Sequence, residues 1–169
     1  MEILDILILG SGPAALCLAS ELAKQNLNIK GISTKSPYEK WENTYGIWAS
    51  ELEEFGLASL LSHRWSKTVS YFGDGIKDKG NSPTKHYYDY GLINQEAFQN
   101  ELLKTCKGIQ WLNETAKLIT SENKISEVIC SSGLKLKARL VIDASGHKSK
   151  FVKRPFLKEV AQQAAYGIV

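Results

Sequence analysis

The sequence predicts an α/β fold with a parallel sheet and an antiparallel meander, and three features of its 169 residues predict it. A strand, a glycine turn, a helix and a second strand follow one another at the N-terminus. A series of short strand-like runs separated by turn residues occupies the last third. The final run ends in the apolar stretch Leu140–Asp143, which suits a return to the parallel sheet.

Ile3 to Leu9 is apolar except for Asp5 and is closed by Gly10. A run of this length bounded by glycine suits a strand buried on both faces of a parallel sheet. Pro13 to Lys24 reads as a helix, with Leu16, Leu18, Ala19, Leu22 and Ala23 on its apolar face. Pro13 falls in the first turn, where its missing N–H costs nothing. Leu27 to Ser33 reads as the second strand of a βαβ unit, for which a right-handed crossover is expected.

Residues 34–48 are loop-like and rich in aromatics, and Glu51 to Leu61 looks helical. KTVSYF and HYYDYG are strand candidates on either side of the turn-rich GDGIKDKGNSPTK. Asn94 caps a helix, NQEAFQNELLKTC, since its side-chain oxygen can accept a first-turn N–H. IQWLN, TAKLIT, SEVICSS and LKLKARLVID make up the meander, with SEN and SSG as turns. QQAAYGIV reads as the opening of another strand, so the chain is expected to be the N-terminal part of a longer protein. On that reading residues 1–169 are part of one domain, with substrate-domain elements inserted at about 67–92.

Composition narrows the function classes. A formal net charge of +3 with scattered basic residues argues against nucleic acid as a partner. Cys17, Cys106 and Cys130 are widely spaced with no CxxC, which disfavours zinc and disulfides and suits a reducing compartment. None of His63, His86 and His147 has metal-ligand spacing, so no metal site is expected. No apolar run reaches the roughly 20 residues a bilayer span takes, and the N-terminus lacks the basic region and cleavage site of a signal peptide. GxSxG and HExxH patterns are absent, which leaves hydrolase chemistry without support.

Two motifs carry chemistry. Gly10-Ser11-Gly12-Pro13-Ala14-Ala15 sits between a strand and a helix, as a dinucleotide fingerprint requires. Gly10 allows the tight turn, Gly12 lets backbone approach a pyrophosphate, and position 15 asks only for a small residue. The pyrophosphate would lie at the helix N-terminus, where free N–H groups and the helix dipole favour negative charge. A carboxylate is expected at the end of the second strand to bind ribose, but Ser33 and Thr34 stand there, so a hydroxyl or backbone group would take that part. The second motif is VIDASGHKS, Val141 to Ser149, in which a strand ends at Asp143 and Gly146 permits close backbone approach to a ligand. Asp143 as a turn residue is the alternative there.

Gly10–Ala15, the meander and VIDASG together resemble the two-part FAD site of the large flavoprotein superfamily with the glutathione-reductase type of Rossmann-like fold. Within it, WENTYGIW, Trp41 to Trp48, resembles the W-x-N-x-Y-G-x-W segment of the plant and cyanobacterial type of lycopene cyclase. EFGLASLLSHRWSKTVSYF, YGLINQEAFQNELL and AYGIV fall in the same order, so the resemblance covers essentially the whole chain.

It implies an enzyme that closes β- or ε-rings on lycopene or a related linear carotene. The reaction is a proton-initiated isomerisation without net redox change, with FAD as cofactor and NAD(P)H as reductant. It draws Tyr45, Gly46, Ile47 and Trp48 towards the cofactor site. For Trp41 and Trp65, core packing and ligand contact both stay open. The family usually has Asp where this chain has Thr34 and often Arg where it has Gln95. Its acidic proton donors lie in a later segment, so the catalytic residues are expected beyond residue 169. Lycopene dissolves in membranes, so work at the cytoplasmic face of a photosynthetic membrane, without spanning it, is expected. Other readings are a polyprenyl reductase, halogenase or aromatic hydroxylase of the same fold, or a non-catalytic nucleotide-binding remnant.

Overall fold

The strand β1 (Ile3–Leu9) is the centre of the molecule's main sheet, and its composition explains why. Leu7 and Leu9 face one side and Ile6 and Ile8 the other, all of them buried, so the strand is apolar without alternation. Asp5, its one polar residue, accepts the Asn28 backbone N–H at 2.9 Å and pairs with Arg139 at 3.0 Å. A computed structural model describes residues 2–70, 84–147 and 149–152. The described residues divide into two compact units, one from residues 2–41 and 99–152, the other from residues 42–98.

In the first unit, α1 (Pro13–Leu22) follows β1 and leads to β2 (Ile29–Ser33). Ala15 and Ala19 of α1 pack with Ile6, Ile8, Ile29 and Cys106. Small residues on this helix face let it lie close to the sheet. After α3 (Gln95–Thr105) the chain runs through β8 (Gln110–Asn113), β9 (Ala116–Glu122), β10 (Ile125–Cys130) and β11 (Lys135–Asp143). Among the described residues these strands form one sheet in the order β8-β2-β1-β11-β10-β9. The pairs β8–β2, β2–β1 and β1–β11 are parallel, and the meander β9–β10–β11 is antiparallel. One strand, β11, thus ends the meander and completes the parallel core, with Asp143 opposite Leu9. IQWLN, expected as the first meander strand, is instead the parallel edge strand β8. Its Trp111 ring covers Gly31 of β2, at a point where any side chain on residue 31 would overlap it.

The second unit holds β3 (Gly46–Trp48), α2 (Ala49–Glu54), β4 (Leu61–Trp65), β5 (Val69–Ser70), β6 (Thr84–Lys85) and β7 (Tyr90–Ile93). Its main sheet has the order β3-β7-β4, all antiparallel. The helix expected over Glu51 to Leu61 stops early, because Gly56 takes a left-handed φ of +69° that helix cannot continue through. A short 3-10 turn, Ala58–Leu60, then feeds β4. β4 is a strand that periodicity does not announce, and Leu61 packs over Gly91 of β7. HYYDYG is not one strand: β6 ends before it and β7 takes only its last two residues. Asn94 caps α3 as expected, its Oδ1 accepting the Ala97 N–H at 3.1 Å. QQAAYGIV and most of GDGIKDKGNSPTK lie outside the described residues.

Candidate functional site

The carboxyl ends of β2, β1 and β11 lie side by side, and the chain leaves β1 towards β2 on one flank while β11 arrives on the other. Strand order therefore reverses at β1, and the crevice outside β1 and β11 is the topological switch point where α/β sheets bind ligands. Gly10 to Ala15 and Ala144 to Gly146 both emerge there.

Gly10 has φ +106°, and its N–H donates to the Ile32 carbonyl at 2.8 Å. The Ala144 carbonyl oxygen stands 2.5 Å from where a Cβ on Gly10 would be, so the two chain segments touch only because residue 10 has no side chain. Gly12 is the N-cap of α1, with φ −76° and nothing within 4 Å of a notional Cβ. No side chain caps this helix, which leaves its first-turn N–H groups to solvent or a ligand. Ala15 is fully buried against the sheet, so smallness is what that position requires. These features fit a pyrophosphate: a bare helix N-terminus, an open approach at Gly12 and no acidic residue in the first turn of α1.

The loop after β2 is held from two sides. Ser11 Oγ donates to the Lys35 carbonyl at 3.0 Å, and Ser33 Oγ donates to the same oxygen. Buried Gln99, on α3, donates from Nε2 to the carbonyls of Pro37 and Glu39 at 2.7 and 2.8 Å. Trp41, 9% exposed, donates from Nε1 to the Ser11 carbonyl at 3.1 Å. Thr34 is exposed just past the end of β2. Gln99 is a contributor that residue patterns do not single out, and the WENTYGIW pattern that marks Trp41 does not show its bond to the Ser11 carbonyl, since both side chains act on backbone carbonyls distant in sequence.

On the β11 side, Asp143 Oδ1 accepts the N–H of Ser145 at 3.1 Å and its hydroxyl at 2.5 Å, while Oδ2 accepts the Ser149 hydroxyl. Burial pushes the Asp143 carboxyl up, but these hydrogen bonds together outweigh it and hold the group below the usual aspartate range. Asp143 thus shapes the turn that brings Ala144 to Gly10. Gly146 has φ +88° and open space around it, and His147 is exposed.

Tyr45, Gly46, Ile47 and Trp48 belong to the second unit. Gly46 lies under the Tyr90 ring, which fills the place of a side chain there. Tyr90 pairs with Trp48 on one flank and Trp65 on the other, with ring centroids 5.5 and 6.3 Å away. His86 and Tyr88 adjoin Trp48 at 5.3 and 6.2 Å, and His63 adjoins Trp65 at 4.4 Å. The result is a cross-strand aromatic ladder. Gln95 Nε2 is buried without a hydrogen-bond partner among the described residues.

The family model for lycopene cyclase protein matches residues 5–169. The chain belongs to the lycopene cyclase family. Lycopene beta cyclase of Synechococcus elongatus is 44% identical over 167 residues, which are 98% of this chain and 39% of that protein. The chloroplastic lycopene beta cyclase of Arabidopsis thaliana is 31% identical over 99% of this chain and 32% of its own length. The chain thus spans about two fifths or less of the length of these lycopene cyclases. Among solved structures, p-nitrophenol 4-monooxygenase PnpA of Pseudomonas putida matches with TM-score 0.60 and 19% identity over 89% of this chain and 43% of its own. Halogenase PltM, crystallised with phloroglucinol and FAD, matches with TM-score 0.56 and 16% identity over 83% of this chain and 34% of its own. The family's fold is therefore the Rossmann-like α/β fold of these proteins.

Proposed function

We propose that this chain supplies the dinucleotide-binding part of an FAD-dependent lycopene cyclase. The match to the family over residues 5–169 carries this reading. The reaction closes β- or ε-ionone rings on lycopene or a related linear carotene by proton-initiated isomerisation, without net redox change. Gly10, Ser11, Gly12, Pro13, Ala14 and Ala15 hold the pyrophosphate on the bare N-terminus of α1. The Thr34 hydroxyl takes the ribose in place of a carboxylate. Gly146 offers backbone to the cofactor's other half, and Asp143 sets the turn that presents it.

Bound FAD, reduced by NAD(P)H, would supply an electron-rich ring that stabilises positive charge near the substrate. Tyr45, Gly46, Ile47 and Trp48 are assigned to the cofactor's surroundings. The ladder of Trp48, Tyr90 and Trp65 offers aromatic faces to a cation, an attraction of ~0.5–2 kcal/mol for each ring. The acid that protonates the polyene is assigned to the part of the family's length that these residues do not span. The cyclase is assigned to the cytoplasmic face of a photosynthetic membrane as a peripheral protein, because its substrate dissolves there. No described helix is long and apolar enough to cross a membrane.

The test is expression in bacteria that accumulate lycopene, followed by pigment analysis. Cyclic carotenes are expected from the gene at the family's full length and none from residues 1–169 alone. Unchanged lycopene beside soluble, flavin-loaded full-length protein would overturn the cyclase reading. The likeness to PnpA and PltM supports a second reading, a flavoprotein that hydroxylates or halogenates an aromatic substrate. NAD(P)H consumption that depends on such a substrate would favour it.

A further inference from the structure

We propose that Trp41 is a positioning residue for the glycine loop: its indole N–H fixes the Ser11–Gly12 peptide so that the Gly12 N–H points at the pyrophosphate. This inference rests on the reading that the loop binds a dinucleotide. A peptide unit is planar and trans, so its C=O and N–H point in opposite directions. The Ser11 carbonyl accepts the Trp41 Nε1–H at 3.1 Å. The Gly12 N–H on the same plane therefore faces away from the indole. It has no backbone acceptor among the described residues, and the space around Gly12 is open.

Glycine alone does not set that direction. Gly12 by itself leaves the Ser11–Gly12 peptide plane free to rotate, and a donor that rotates is a weak anion ligand. A buried indole at one end of a braced segment removes the freedom. The bracing is visible on both sides of the loop before Trp41. Gln99, 5% exposed, holds the Pro37 and Glu39 carbonyls from 62 and 60 residues away. The Lys35 carbonyl accepts from both Ser11 and Ser33. Trp41 is thus the last link of a strut from α3 to the glycine turn, and it reaches the turn from 30 residues away. This gives the first tryptophan of WENTYGIW a task separate from those of Tyr45 to Trp48.

The test compares the 169-residue chain with Trp41→Phe, which keeps an aromatic ring and loses the donor. FAD affinity is measured by flavin fluorescence and ADP affinity by calorimetry, since ADP carries the pyrophosphate without the flavin ring. Both affinities are expected to fall about tenfold, the size of one misdirected hydrogen bond to a charged group. The Gly12 amide resonance is expected to shift even without ligand. A second variant carries 3-benzothienylalanine at position 41, which preserves the bicyclic shape and lacks the N–H. It should show the same tenfold loss while staying folded, with a thermal midpoint lowered by no more than one lost hydrogen bond allows, and it decides the matter if Trp41→Phe fails to fold. Parent-like FAD and ADP affinity in the benzothienyl variant would overturn the positioning role alone. A loss confined to FAD would also overturn it, by placing the indole at the flavin. A parent chain that binds neither FAD nor ADP would overturn the dinucleotide reading and the proposal with it.

Discussion

The Ala144 carbonyl oxygen occupies the space next to Gly10 that a side chain would need, 2.5 Å from the notional Cβ. The N–H of Ala144 also donates to the Leu9 carbonyl at 2.9 Å, so the two turns at the carboxyl edge are locked backbone to backbone. Gly10→Ala must therefore move a main-chain segment and accept a φ near +106°. We expect a destabilisation of at least about 1–3 kcal/mol from backbone strain, read as a lower urea midpoint with unchanged slope.

Gly12 makes the opposite case. Its φ of −76° suits any residue and no atom lies within 4 Å of its notional Cβ. Gly12→Ala should change fold stability by less than ~1 kcal/mol, the scale of an N-cap change without a side-chain bond. It should nonetheless weaken FAD binding strongly, because the methyl group projects into the approach of the pyrophosphate. Measuring both quantities on one protein separates the fold's need for glycine from the ligand's.

Gln99 links α3 to the loop that carries Trp41 by two bonds from its Nε2 to the backbone carbonyls of Pro37 and Glu39. Gln99→Leu keeps the volume and leaves those acceptors without their donor in a largely buried place. The expected cost is about 1–3 kcal/mol. Amide exchange should rise in residues 35–41 first, while the β1–β11 pair keeps its protection.

Much of this architecture is legible in the residues, for physical reasons that also mark the limits. β1 is readable because burial on both faces demands an unbroken apolar run, and α3 because Asn94 carries its cap locally. Ala15 is readable because helix–sheet packing constrains its size. β4 is not: its burial hardly alternates, and a bulge near Ser62 shifts its register against β7. Its strand character comes from β7, some 30 residues away. The brace from Gln99 through Trp41 to Ser11 is equally silent, since bonds to main-chain carbonyls leave no residue pattern at the accepting end. Gly46 and Gly91 are glycine because Tyr90 and Leu61 lie over them, which only the folded sheet reveals.

The cysteines give an alkaline prediction. All three are free thiols. Cys106 is 3% exposed, and burial first, with nearby Cys17 second, pushes its thiol up to about 11 from an ordinary value of 9.0. Between these values the unfolded chain loses the proton and the folded chain keeps it. The contribution to stability is therefore complete below pH 9 and is lost as pH rises through 11. A denaturation series across that window should show a falling midpoint, with a shallower fall in Cys106→Ala. At pH 8 the native protein's Cys106 should resist a thiol reagent that labels it promptly after unfolding.

Asp143 gives the acid counterpart. Burial raises its carboxyl, but hydrogen bonds from Ser145 and Ser149 outweigh that and lower it from an ordinary 3.8. A depressed carboxyl contributes stability above its unfolded value, and that contribution is lost as pH falls through the folded value. Asp143→Asn should therefore cost about 1 kcal/mol at neutral pH, with the gap to the parent closing once pH drops below about 3.8. The turn it organises presents Ala144 to Gly10, so the loss should also reach the glycine loop. Lower protection of the Gly10 amide at pH 7, where the parent's Asp143 is fully ionised, would register that link directly. If Asp143→Asn kept parent stability at pH 7, the Ser145 and Ser149 contacts would be incidental to the turn, and the part proposed for Asp143 in presenting Gly146 would fall with them.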